Sequence, residues 1–253
     1  NSKPYVRLGT RINCIRNCRH SRELEMNYRV LVLGSGIIGK QVKIAATQMG
    51  YDVATVDIKG ATYTIDLRDQ EKFLEVLEEW QPNVIFNTAG KDQKLGDDAS
   101  PLHEMKDEDW KNLFGHNTDL LFNVARTSLS YFMKSNKEVK KLIFTPSTYS
   151  FTAPNPNFYD DNFVKSFAYV GSQSVYVNLV QYIASYYADN NITCNGFVPH
   201  LVMEDLNKVD SIYSPIGRTC QPDELIPVLK MLMDKDNSYM TGEFIKVNGG
   251  WLC

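Results

Sequence analysis

The sequence predicts an α/β fold: a doubly wound, mostly parallel sheet of about seven strands with helices on both faces. Three observations carry that expectation. Short β-branched apolar runs alternate with amphipathic helical stretches from Arg29 onward. A glycine turn, Gly34-Ser35-Gly36-Ile37-Ile38-Gly39, joins the first run to the first helical stretch. The polar residues able to do chemistry fall just after the apolar runs, at the carboxyl ends of the strands, where ligands of such sheets bind.

Arg29-Val30-Leu31-Val32-Leu33 has strand length and composition, and the helix after the glycine turn runs to about Met49. Gly34, Gly36 and Gly39 permit a tight turn and let backbone N–H groups and the helix N-terminus approach a pyrophosphate; Ser35 and Ile38 lie within the same turn. Such a string alone is weak, because many glycine turns bind nothing, but its place between strand and helix strengthens it. A second strand from Asp52 to Val56 ends at Asp57, about 20 residues beyond the glycines, where a carboxylate accepts from both ribose hydroxyls of an adenosine. A 2′-phosphate would meet like charge there, so Asp57 favours NAD(H) over NADP(H); the alternative is that Asp57 only caps the strand end.

Ile65-Asp66-Leu67 precedes a helix from about Asp69 to Trp80, with Phe73, Leu74, Val76 and Leu77 at helical spacing. Val84-Ile85-Phe86 then delivers Asn87-Thr88-Ala89-Gly90, whose small residues leave room for a cofactor. Leu142-Ile143-Phe144 and Thr193 to Val198 are further strands, the last delivering Pro199 and His200. A long amphipathic stretch begins near Tyr169, and Gln173, four residues on, shares its helix face one turn away.

The 253 residues, 43% hydrophobic and 23% charged, suffice for one large α/β domain. A net charge of −3 gives no global positive excess for nucleic acid or a membrane surface. Residues 1–25 differ: Lys3, Arg7, Arg11, Arg16, Arg19 and Arg22 oppose only Glu23 and Glu25. That stretch is read as a basic arm, either an added leader or the remnant of an Arg-rich targeting segment, before a single domain over 26–253. The five cysteines (Cys14, Cys18, Cys194, Cys220, Cys253) are scattered, which favours free thiols and a reducing compartment. Cys14, Cys18 and His20 lack a fourth ligand at suitable spacing, and His103 and His116 are isolated, so no metal site is expected. No apolar run approaches the roughly 18 to 20 residues that span a bilayer. A soluble, cytoplasmic protein without nucleic-acid or membrane partners is the expectation.

The order of these motifs resembles the short-chain dehydrogenase/reductase family, with its NAD(P)-binding Rossmann fold, over Arg29 to Cys253. Asn87-Thr88-Ala89-Gly90 matches the family's Asn-Ala-Gly after the fourth strand, with one residue more. Asn117 in His116-Asn117-Thr118-Asp119 matches its helical asparagine, Ser147 its serine after the fifth strand, and Tyr169 its tyrosine. Ser214-Pro215-Ile216-Gly217-Arg218, Tyr239-Met240-Thr241-Gly242 and Val247-Asn248-Gly249-Gly250 match its closing segments. The resemblance implies a cofactor set of Gly34, Ser35, Gly36, Ile38, Gly39, Asp57, Asp66, Leu67, Asn87, Ala89, Gly90, Gln173 and Pro199. It also implies a homodimer or homotetramer formed through the helices carrying Asn117 and Tyr169. An extra segment through Pro154, Pro156, Tyr159 and Asp160, with Trp251 near the end, resembles reductases of bacterial surface-glycan and flagellin modification that act on nucleotide-linked sugars.

In the mechanism this resemblance implies, Tyr169 is the proton donor and acceptor, Ser147 hydrogen-bonds the substrate oxygen and Asn117 holds a water. Gln173 stands where the family has lysine. A tyrosine has an unperturbed pKa of about 10, and a nearby ammonium favours its phenolate. Glutamine can donate to the nicotinamide ribose but carries no charge. Lys165 lies one turn before Tyr169 only if the helix starts early. Two departures accompany Gln173: a shortened glycine turn, and Pro199-His200 in place of Pro-Gly. The expected function is an NAD(H)-dependent oxidoreductase interconverting a hydroxyl and a carbonyl. The alternatives are a non-catalytic relative binding NAD(H) or a protein partner, and a dinucleotide sensor. A substrate loop is expected over Leu201 to Tyr213.

Overall fold

In the computed structural model, residues 28–93, 99–158, 163–204 and 214–252 are described. The basic arm with Cys14, Cys18 and His20, the pair Tyr159 and Asp160, the expected substrate loop from 205 to 213, and Cys253 lie outside them.

Among the described residues, seven strands, all parallel, form one sheet: β1 (Arg29–Leu33), β2 (Asp52–Asp57), β3 (Tyr63–Thr64), β4 (Val84–Asn87), β5 (Lys140–Phe144), β6 (Ile192–Pro199) and β7 (Phe244–Val247). Their order is β3-β2-β1-β4-β5-β6-β7. The chain reverses its direction of winding between β1 and β4, which opens a crevice beyond their carboxyl ends. Helices α1 (Ile37–Gln48), α2 (Gln70–Trp80), α3 (Asp107–Trp110), α4 (His116–Lys134), α5 (Phe167–Tyr186) and α6 (Ile226–Met233) complete the described fold, with a π turn over Lys111–Gly115 joining α3 to α4.

Alternation along β1 shows how both faces are covered. Val30 and Val32 point into one core with Val42, Ala45 and Ala46 of α1 and Leu229 and Leu232 of α6. Leu31 and Leu33 point into the other, against Phe73 and Leu77 of α2, Phe132 of α4 and Ile183 of α5. A strand buried on both faces needs apolar residues at every position, which explains the unbroken run in the sequence. The predicted helix from about Asp69 begins with Asp69 as its cap, accepting from the Lys72 N–H at 3.2 Å. Because α5 begins at Phe167, Tyr169 stands in its first turn and Gln173 one turn on.

Candidate active site

The glycine turn is built by crowding. Gly34 has φ +95°, and a Cβ there would lie 2.8 Å from Thr88 Oγ1 and 2.9 Å from Ala89 N. A Cβ on Gly39 would lie 2.0 Å from the Gly34 carbonyl oxygen, so only glycine lets α1 sit this close to the turn. Gly36, in contrast, faces open space. Thr88, the residue added to the Asn-Ala-Gly pattern, ties the turn to β4: its hydroxyl donates to the Leu33 carbonyl at 2.9 Å.

Asp57 braces the same turn. Its Oδ2 accepts from Ser35 N at 2.7 Å and Ser35 Oγ at 2.6 Å, and its Oδ1 accepts from Ile58 N at 2.7 Å. Partial burial alone would raise this carboxyl, but the bonds from Ser35 and the following backbone outweigh it and hold Asp57 below its ordinary range. The acid is ionised and at the predicted place, with its oxygens already engaged by the turn. The α1 N-terminus carries no side-chain cap and no acidic residue in its first turn. Its leading N–H groups therefore lack an intrahelical acceptor, a fit for a dinucleotide pyrophosphate.

A cavity of about 550 Å³ joins this turn to the remaining candidates. Gly36, Ile38, Gly39, Ala89, Gly90, Ser147, Tyr169, Gln173, Pro199 and His200 all line it. Gly34, Ser35, Asp57, Asp66, Leu67, Asn87 and Asn117 do not line it. Asp66 pairs with Arg68 at 2.6 Å, and the hydrogen bonds from that guanidinium hold its carboxyl low. Leu67 is buried, and its carbonyl accepts from Asn123 Nδ2 at 2.5 Å.

Ser147 caps a short 3-10 turn over Thr148–Ser150, its Oγ accepting from Tyr149 N at 3.3 Å. Gln173, 5% exposed, points its Oε1 at Ser147 N, 3.0 Å away. An N–H requires an acceptor, so this contact fixes the amide's orientation and leaves Nε2 as a donor on the cavity wall. A lysine has no acceptor to offer there. Gln173 is therefore matched to the backbone of the serine loop as well as to the cavity.

Asn117 is 2% exposed. Its Oδ1 accepts from Lys91 N at 2.8 Å, its Nδ2 donates to Lys91 O at 2.9 Å, and the Ser172 hydroxyl lies 3.2 Å from Nδ2. The next two residues continue the attachment. Asp92 Oδ1 lies 2.9 Å from Lys165 Nζ. Gln93 accepts from Ser166 N at 2.7 Å and donates to Val164 O at 2.9 Å. Residues 91–93 thus clasp α4 on one side and the approach to α5 on the other.

Lys165 precedes α5 rather than starting it, so the early helix that the sequence reading required is absent. Its Nζ nevertheless sits 4.4 Å from the Tyr169 ring centroid and 5.8 Å from that of Tyr149. Tyr149 meets Tyr169 edge-on, with centroids 6.5 Å apart. His200 stacks on Trp251 at 4.6 Å, and its Nδ1 lies 3.4 Å from Thr148 Oγ1. The His200 ring is thereby held by its neighbours. The sequence reading missed Asp92 and Gln93; their place just past Gly90, at a strand's carboxyl end, was the available signal.

A family model described as enoyl-(acyl carrier protein) reductase matches residues 35–252. The 3beta-hydroxysteroid dehydrogenase 2 of Eggerthella lenta is 25% identical over 183 residues, which are 68% of this chain and 65% of that relative, slightly under two thirds of its length. Among solved structures, a short chain dehydrogenase from Leptospira borgpetersenii with bound NAD+ has a TM-score of 0.77 at 18% identity, covering 90% of this chain and 93% of that one. ElxO with NADP bound has a TM-score of 0.75 at 20% identity, covering 90% and 99%. At these identities the two structures show a shared Rossmann-like fold.

Proposed function

The chain belongs to the short-chain dehydrogenase/reductase family, and we propose that it is an NAD(H)-dependent oxidoreductase interconverting a hydroxyl and a carbonyl on a nucleotide-linked sugar. One observation carries the chemistry: Ser147, Tyr169 and Gln173 line the same cavity as Gly36, Ile38 and Gly39 of the glycine turn. The dinucleotide would lie along Gly36, Ile38 and Gly39, with Asp57 at its adenosine end and Ala89, Gly90, Gln173 and Pro199 about its nicotinamide half. When bound, it supplies the hydride.

The protein's own part is proton transfer and orientation. Tyr169 gives its phenolic proton to the substrate oxygen during reduction, or takes a proton from the hydroxyl during oxidation. Ser147 donates a hydrogen bond to the same oxygen. Asn117 fixes the Lys91 backbone, and through it the loop beside Tyr169. Gln173 offers Nε2 to a ribose hydroxyl while its Oε1 holds Ser147 in place. Ionised Asp57 favours NAD(H), because a 2′-phosphate would meet its charge.

Support for the sugar-nucleotide substrate comes from the segment after Ser147 and from Trp251, which resemble those of reductases of that kind. Exposed apolar side chains on α4 and α5, among them Phe122, Tyr182 and Tyr186, favour pairing of two copies through those helices. Calorimetry with NAD(H) and NADP(H), followed by an absorbance screen of nucleotide sugars, tests the reading. It requires tighter NAD(H) binding and turnover that Tyr169→Phe abolishes. Binding without turnover of any carbonyl or alcohol would favour the non-catalytic relative, a reading supported by the bond that ties Gln173 to Ser147 N.

A further inference from the structure

We propose that Lys165 is a positioning residue that supplies, from the loop before α5, the positive charge on Tyr169 that Gln173 does not. The inference rests on the oxidoreductase reading for its purpose, but its geometry stands independently. The Lys165 ammonium lies over the Tyr169 ring, 4.4 Å from the centroid, and its side chain is only 9% exposed. A cation over a ring face is attracted by the π-system, and it favours the ionised phenol much more strongly.

The lysine is held there by more than its own preference. Gln93 fastens the backbone on both sides of it, bonding Val164 O and Ser166 N. Asp92 draws the ammonium from above, and Tyr149 adds a second ring at 5.8 Å. Asp92 is 59% exposed, so it neutralises the ammonium only in part. The other titratable side chains on the cavity wall are Lys91, Tyr149, Tyr176 and His200. Burial keeps the Tyr176 phenol protonated. Lys165 is therefore the cation whose contact with the Tyr169 ring is seen directly.

The step it serves is one proton exchanged between Tyr169 Oη and the substrate oxygen: one O–H bond breaks and another forms. An ammonium 4.4 Å from the ring centroid, at an effective dielectric near 20 and shared with Asp92, lowers the phenol's midpoint by roughly one pH unit.

The test is a pH titration of tyrosine ring-¹³Cζ resonances by NMR, with the Tyr169 signal assigned by its loss in Tyr169→Phe. In Lys165→Met, and in Lys165→Gln as a second variant should the first fold poorly, the Tyr169 midpoint rises by about one unit. In Lys165→Arg it stays close to wild type. In the oxidising direction, the pH at which turnover rises moves with it. A midpoint unmoved by Lys165→Met or Lys165→Gln overturns the proposal, because loss of a merely structural lysine would not alter the titration selectively and an arginine would not restore it. The titration needs neither substrate nor dinucleotide. A shifted midpoint in a protein without turnover would sink the oxidoreductase reading and leave this one standing; turnover with an unshifted midpoint would do the reverse.

Discussion

Gln173→Lys, which installs the lysine that the family resemblance implies at this position, should destabilise the protein. The substitution removes the acceptor of the Ser147 N–H, now 3.0 Å from Gln173 Oε1. Ser147 is half-buried, so leaving that N–H unpaired costs about 1–2 kcal/mol. The new ammonium would also occupy a position 5% exposed, in a cavity that already holds Lys165. A total near 2 kcal/mol lowers the melting temperature by about 4–8 °C for a chain of this size. Differential scanning calorimetry of wild type, Gln173→Lys and Gln173→Met separates the two contributions. Methionine removes the acceptor without adding charge, so it should lose roughly half as much. A lysine variant that melts at or above wild type would refute the view that the glutamine is matched to the serine loop.

Gly39→Ala places a methyl 2.0 Å from the Gly34 carbonyl, which the turn can relieve only by moving off α1; dinucleotide affinity should fall more than about tenfold by calorimetry, with about 1–3 kcal/mol lost in denaturant unfolding. Burial, then the charges of Arg68 and Lys91, hold the His116 imidazole below its ordinary range. The unfolded chain therefore binds the extra proton more readily, and the stability His116 contributes is complete above about pH 6.5 and is lost as pH falls through its folded midpoint. His116→Gln should flatten the melting temperature between about pH 7 and 5, and an unchanged slope counts against this. Asn117→Ala leaves both polar groups of Lys91 without their side-chain partner, costing about 2 kcal/mol by chemical denaturation.

Much of the architecture was legible because it is local. The doubly buried run Val30 to Leu33, the turn at Gly34, and the small residues after Phe86 each announce their role within a few positions. Asp57 stands where its distance from the glycines put it, although its first partner is the Ser35 of the same turn. What escaped was non-local. Asp92 and Gln93 meet Lys165 and Ser166 across a separation of 73 residues, and nothing in either segment marks the other. The reading of Lys165 assumed that a charge must ride on the helix that carries the tyrosine. A loop fastened at both flanks delivers it as firmly. Gln173 was read by what it lacks, whereas its acceptor oxygen is the property the fold uses.

The clasp at residues 91–93 also joins a cavity-lining glycine to the seat of Lys165. Gly90, on the cavity wall, is bonded covalently to Lys91, and the two residues after it carry the seat of Lys165. A dinucleotide that presses on this loop must work against the contact over Tyr169 or reinforce it. By thermodynamic reciprocity, the protonation of that tyrosine must then alter dinucleotide affinity by the same free energy. For a dinucleotide that moves this loop, occupancy of the cavity and acidity of Tyr169 would be two readings of a single equilibrium.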